Sequence, residues 1–183
     1  MDFPGLPGPS VGWPGAARLT ADVRRVVGKC DSKLWANIGY DPMCSPSVPQ
    51  TSHPIWDLIR TSRAFRYIRC HNTFSDVVPY SSPEQLMGCR IYSEDRAGGA
   101  LYNFDYLDHV LDTWMRAGLK PILEMDFMPD ALADGEIMRN YGGGAINAPR
   151  HFAKWREMIH RTVQHLIERY GTEEVRTWYF EME

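Results

Sequence analysis

Pro149-Arg-His-Phe-Ala-Lys-Trp-Arg-Glu-Met-Ile-His-Arg-Thr-Val-Gln-His-Leu-Ile-Glu-Arg-Tyr-Gly-Thr-Glu-Glu-Val-Arg-Thr-Trp-Tyr-Phe-Glu181 holds the clearest period in the chain. Phe152, Trp155, Ile159, Val163, Leu166, Ile167 and Tyr170 recur at helical spacing, which predicts one amphipathic helix over about 149–170. Gly171 follows as a stop, because glycine takes the left-handed conformation that ends helices. The next residues change period and carry β-branched and aromatic side chains, so a strand is expected from 175 to at least 181.

The same unit repeats toward the N-terminus. Asn103 is placed to cap a helix whose stripe is Phe104, Leu107, Leu111, Trp114 and Met115, and Gly118 stops it. Pro121 then opens a strand over 122–125, where a missing N–H costs least. Earlier still, a helix over about 54–65 with Ile55, Leu58, Ile59 and Phe65 on one face leads into a strand over 66–70. A short strand is expected over 33–39, then a Pro/Ser-rich loop over 40–52. Residues 74–102 read as one long loop, with Gly98 and Gly99 as breakers, and loops of that length are usually functional.

Four strands therefore alternate with three helices, which makes parallel sheets with right-handed crossovers. A doubly wound sheet and a barrel both fit. No Gly-x-Gly-x-x-Gly or phosphate-binding loop follows a strand, which argues against nucleotide binding. Gly142-Gly-Gly144 lacks the lysine and the preceding strand that such a loop needs. Residues 1–30 form a Pro/Gly-rich lead-in with one candidate accessory strand at 19–27, and residues 31–183 form the main domain.

Composition narrows the classes. The 183 residues, 44% hydrophobic and 23% charged, suit one soluble globular domain. A net charge of −3 with no basic stripe disfavours nucleic acid as a partner. No apolar run approaches the roughly 20 residues of a membrane-spanning helix, so no membrane association is expected. The N-terminus does not resemble a signal peptide, which fits a cytoplasmic protein or a secreted one whose leader is absent from this chain. Cys30, Cys44, Cys70 and Cys89 lack metal-binding spacing and read as thiols, with one disulfide, Cys30 to Cys44, left open.

In a parallel barrel, chemistry gathers at the carboxyl ends of strands. Here those ends are 37–41, 71–76, 124–127 and 181–183, polar and acidic with aromatic neighbours, as a saccharide site would be. Four stretches in one order sharpen this. They are Arg69-Cys-His-Asn-Thr-Phe-Ser-Asp76, Tyr102-Asn-Phe-Asp-Tyr-Leu-Asp108, Glu124-Met-Asp-Phe-Met-Pro129, and Arg169-Tyr-Gly-Thr-Glu-Glu-Val-Arg176 with Trp178 to Glu181. Together they resemble glycoside hydrolase family 39, the β-xylosidase and α-L-iduronidase family, over residues 33–181.

That resemblance implies the N-terminal half of a retaining (β/α)8 glycosidase barrel, its first four β/α units, with a carbohydrate substrate and no metal or organic cofactor. It implies that His71 donates or accepts a hydrogen bond at a sugar hydroxyl and places Asp76 and Phe127 in the substrate site. Read without the resemblance, these are a rim histidine, a loop cap and a packing aromatic. Glu124 and Glu181 end neighbouring strands and look like the two carboxyl groups, about 5–5.5 Å apart, of a retaining enzyme. The resemblance makes them supporting groups of the barrel interior instead. In its register Glu181 matches the glutamate of a Phe-Glu-x-Trp-Asn-Glu-Pro pattern, and the acid/base falls about two residues beyond Glu183. Glu183 is the acid only in a shifted register, so no catalytic residue is assigned.

Two positions depart from the pattern. Asn72 and Asp126 stand where glycines are expected, and Asp126 adds a carboxylate near the sugar site. The rival expectation is a catalytically inactive half-barrel that binds saccharide or forms a homo-oligomer through its open edges.

Overall fold

The computed structural model describes residues 22, 24–25, 28–29, 36–40, 53–76, 78–79, 86–140 and 143–182. The chain divides into two units, Met1–Asp31 and Ser32–Glu183. In the first, the Arg25 N–H donates to the Asp22 carbonyl at 3.1 Å and the Arg24 N–H to the Asp22 carboxylate at 3.0 Å. That is a turn inside the stretch expected as an accessory strand; the rest of that stretch lies almost wholly outside the described residues.

The second unit is built on four parallel strands. They are β1 (Asn37–Tyr40), β2 (Tyr67–Cys70), β7 (Lys120–Met125) and β8 (Tyr179–Met182), side by side in that order. Registers run Asn37 to Tyr67, Tyr67 to Lys120 and Ile122 to Tyr179, all parallel. Spatial order equals sequence order, so every crossover moves the same way. A doubly wound sheet instead reverses direction at a switch point. Of the two architectures compatible with the alternation, the singly wound one is present.

Between these strands lie helix α1 (His53–Ser62), α2 (Asp105–Arg116), α3 (Phe152–Tyr170) and the single turn α4 (Thr172–Val175). Successive side chains on a strand point to opposite faces. Ile68, Cys70, Leu123 and Met125 accordingly face the helices and are buried with Leu107, Leu111 and Trp114 of α2. Each such burial stabilises by about 1.5–3 kcal/mol. Tyr67, Arg69, Ile122, Glu124, Tyr179 and Glu181 occupy the alternate positions, and Tyr67 and Tyr179 meet edge to face at 5.1 Å. A concavity of about 700 Å3 lies along this second face toward the amino ends of the strands.

Helix ends follow their local chemistry. Asn103 stands one residue before the N-cap, which is Phe104 and not Asn103 as expected. The Asn103 side chain accepts the Asp105 N–H at 2.8 Å, and Asp105 and Asp108 sit in the first turn of α2, where negative charge suits the dipole. At the other end Gly118 has φ 81°, the Gly118 N–H bonds the Met115 carbonyl at 2.9 Å and the Leu119 N–H bonds the Trp114 carbonyl at 3.0 Å. This pair of bonds is a Schellman cap.

Four expectations shift. Helix α1 turns Trp56 and Ile59 inward and leaves Ile55 and Leu58 exposed, because the tryptophan offers the larger apolar surface at the same spacing. It ends at Ser62, with Arg63 at φ 50°, so Phe65 is not on the helix. The last strand begins at Tyr179 rather than 175: a fresh turn follows Gly171 (φ 84°), and the Trp178 indole N–H donates to Glu174 at 3.0 Å. The loop at 74–102 carries two antiparallel ribbons, β3 (Val78–Pro79) with β4 (Leu86–Met87), and β5 (Tyr92–Glu94) with β6 (Ala100–Tyr102). Lys154 of α3 ties the second ribbon down through Glu94 at 2.6 Å and the Gly98 carbonyl at 2.8 Å.

Among the described residues, no helix is long and apolar enough to cross a membrane. Cys70 and Cys89 are buried, whereas Cys30 and Cys44 lie outside the described residues.

Candidate functional site

Period-two alternation puts Arg69 and His71 on one face at the end of β2, Glu124 and Asp126 on the same face of β7, and Glu181 on β8. Arg69 joins the three strands. Its Nε and Nη2 donate to Glu181 at 2.9 and 3.0 Å, a bidentate fork, and its Nη1 reaches Glu124 at 2.5 Å. The fork holds the Glu181 carboxyl below the usual glutamate range, against a smaller upward push from burial. Glu124 is fully buried, and its second oxygen contacts Nδ1 of His71. The result is a continuous charged chain, Glu181–Arg69–Glu124–His71, across the carboxyl end of the sheet.

Asp126 extends this chain into the backbone. The Asn72 and Thr73 N–H groups each donate to its carboxylate at 2.9 Å, one per oxygen, and the Phe74 N–H donates to its carbonyl at 3.2 Å. Asn72 has φ 64°, and the Ser75 hydroxyl donates to its side-chain oxygen at 2.8 Å. The two positions that depart from the glycine pattern are therefore in direct contact. Asp126 is 1% exposed, so its carboxylate faces peptide N–H groups rather than the open site. The ligand atoms of His71, Glu124 and Asp126 lie within 4.8 Å of one another, close enough to share a cation. The Arg69 guanidinium already supplies positive charge there, and the geometry favours an ion-pair network over a metal centre.

The other two sequence candidates sit on loops. Asp76 accepts the Asp130 N–H at 2.8 Å, with Arg90 at 3.9 Å, and so holds the 3-10 turn Asp130–Leu132. Burial raises its carboxyl above the usual range. Phe127 follows the β7 end with φ 54°, a conformation costing a bulky residue about 1–3 kcal/mol. Its ring packs against Gly144 so closely that a Cβ there would lie 2.2 Å from the ring. Gly144 thus leaves room for Phe127. A pocket of about 210 Å3 opens beside it, lined by Met125, Phe127, Met128, Ala145, Ile146, Asn147 and Trp155.

His71, Glu124 and Glu181 are therefore brought together, while Asp76 and Phe127 are anchored in loop contacts of their own. Glu183 lies outside the described residues. Sequence reasoning gave Arg69 no role. The signal was available, since Arg69 stands two residues before His71 on a strand and must share its face. The larger concavity lies along the inner face of the sheet toward the strand amino ends, and Glu181 is the member of the charged chain that lines it.

Comparisons with known proteins agree with this architecture. The family model for glycosyl hydrolases family 39 matches residues 19–183. A β-xylosidase from Geobacillus stearothermophilus is 40% identical over 128 residues, covering 68% of this chain and 23% of its own. A β-xylosidase from Caldicellulosiruptor saccharolyticus is 28% identical over 167 residues, covering 90% of this chain and 31% of its own. The crystal structure of a monomeric β-xylosidase from Caulobacter crescentus CB15 superposes with a TM-score of 0.69 at 29% identity, over 87% of this chain and 30% of that one. The chain thus spans 23% and 31% of the lengths of the two curated relatives.

Proposed function

The chain belongs to glycosyl hydrolases family 39, and from that premise we propose that it supplies the sugar-contacting side of a retaining, β-xylosidase-like site. Its four parallel strands stand for the first four β/α units of a (β/α)8 barrel. The observation that carries this reading is the Glu181–Arg69–Glu124–His71 chain at the carboxyl ends of singly wound strands, where barrel enzymes place their chemistry.

The roles follow from the contacts. Glu124 engages Nδ1 of His71, and in the proposed role Nε2 is the ring nitrogen that meets the sugar. A neutral ring with its proton on Nδ1 accepts a hydrogen bond from a sugar hydroxyl at Nε2. Phe127 offers an apolar ring, and Asp76 shapes the loop beside it. Glu124 and Glu181 position these groups. Both are bound to Arg69, and the reading gives them a supporting role rather than that of acid/base or nucleophile. Hydrolysis with retention needs one carboxyl group to protonate the leaving oxygen and another to attack the anomeric carbon. Neither is assigned to the described residues.

Titrating the chain with methyl β-D-xyloside while recording amide spectra tests this. Shifts at residues 71–76 and 127 are expected, and their loss in His71→Ala. Saturable binding untouched by His71→Ala would refute the role of the histidine.

A second reading rests on the exposed Tyr179, Phe180 and Met182 of edge strand β8. Unpaired apolar edges invite pairing, which favours a half-barrel that binds saccharide or self-associates without catalysing.

A further inference from the structure

We infer that Asp126 is the positioning residue of this site: its carboxylate fills a nest of backbone N–H groups at residues 72 and 73 and so fixes the His71 ring against Glu124. The inference deepens the sugar-site reading and rests on it only for the consequence on binding.

Three consecutive amides, at Asn72, Thr73 and Phe74, converge on one residue, at 2.9, 2.9 and 3.2 Å. A left-handed step beside a right-handed one is one way to turn consecutive N–H groups into a shared concavity, and Asn72 takes the left-handed step at φ 64°. Such a concavity binds anions. Here the chain supplies its own anion from β7, two residues beyond Glu124. Ser75 secures the turn from the other side by donating to the Asn72 side chain at 2.8 Å. Asn72, Thr73, Ser75 and Asp126 are all buried, so each lost contact would go unreplaced by water.

His71 is the residue immediately before this turn, and its backbone direction is set by it. Its Nδ1 lies 3.9 Å from Asp126 and in contact with Glu124. Two carboxylates on one strand thus divide the work. Glu124 holds the ring, and Asp126 holds the peptide that carries the ring. Asparagine tolerates the left-handed conformation better than most residues, and Asp126 adds a partner for the amides of residues 72–74.

Long-range 1H–15N spectra of the 183-residue chain report where the His71 ring carries its proton, with no ligand present. His71→Gln assigns the signals. In the wild-type chain the Nδ1-protonated ring should dominate. In Asp126→Ala, and to a smaller degree in isosteric Asp126→Asn, the ring should populate both tautomers, with overall amide dispersion retained. Methyl β-D-xyloside affinity should fall about tenfold in Asp126→Asn, the scale of one lost hydrogen bond. Unchanged His71 ring signals in a folded Asp126 variant would overturn the inference. If Asp126→Ala does not fold, Asp126→Asn decides by the same criterion. A wild-type chain that shows the Nδ1 tautomer yet binds no xyloside would defeat the sugar-site reading and leave the positioning role standing.

Discussion

Arg69 spans the inner face of the sheet, forked on Glu181 and touching Glu124. The two partners differ in kind. Glu124 is fully buried, so removing the guanidinium strands a carboxylate away from water. Arg69→Met should therefore lower stability by about 3 kcal/mol, the lower end for a broken buried pair, read as a fall in urea midpoint. Glu181 is 40% exposed, and Glu181→Gln should move that midpoint little. The lowered Glu181 carboxyl gives a sign as well. Its contribution is complete above the ordinary glutamate value of 4.5 and fades as pH falls through the lowered folded value. His71, Glu124 and Glu181 were legible in the sequence as polar strand ends. Arg69 was legible only by counting alternate positions back from His71. Asp126 read as a carboxylate near the sugar, yet it faces backbone N–H groups. Peptide donors leave no trace in side-chain patterns, so that placement needed coordinates.

At the scale of elements, α2 and α3 are latched by charge along their contact. Arg169 donates to Asp112 at 2.7 Å, Tyr170 donates to the other Asp112 oxygen at 2.9 Å, and His165 meets Asp108 at 2.7 Å. Burial pushes the Asp112 carboxyl up, but the Arg169 and Tyr170 hydrogen bonds together hold it below the usual range. A depressed carboxyl stabilises above its unfolded value, 3.8 for an ordinary aspartate, and loses that contribution as pH falls through the folded value. Asp112→Asn should cost about 0.5–1 kcal/mol at pH 7, discounted because the pair is part-exposed. The gap from wild type should narrow as pH is lowered below 4 or so in urea titrations; a gap independent of pH would contradict the latch. Helices α2 and α3 were readable because apolar spacing and glycine stops agree, although α3 leaves Phe152 and Ile167 of its expected stripe exposed and buries Met158 instead. The face of α1 was not, since Ile55, Leu58 and Trp56 compete for burial and only packing decides. The delayed start of β8 escaped too. Glu174 anchors Trp178 and also accepts from Lys120 at 3.1 Å, which extends the turn before the strand.

The described residues of the second unit form a singly wound sheet with one helical layer and one face that no described helix covers. Alternation of strand and helix predicted parallel pairing, but winding direction could not be read, because crossover direction is a property of three or more strands in space. Residues Tyr179, Phe180 and Met182 on β8 leave an apolar edge, so the apparent mass in sedimentation should rise with concentration over the micromolar range. A monomer at all concentrations would remove the self-association reading. The proposed reading is that this chain supplies the binding side of a β-xylosidase-like site, with neither acid/base nor nucleophile assigned among the described residues. Turnover of a chromogenic β-xyloside by the purified chain tests it most directly. No hydrolysis above the buffer rate is predicted. Hydrolysis that Glu183→Gln abolishes would contradict it.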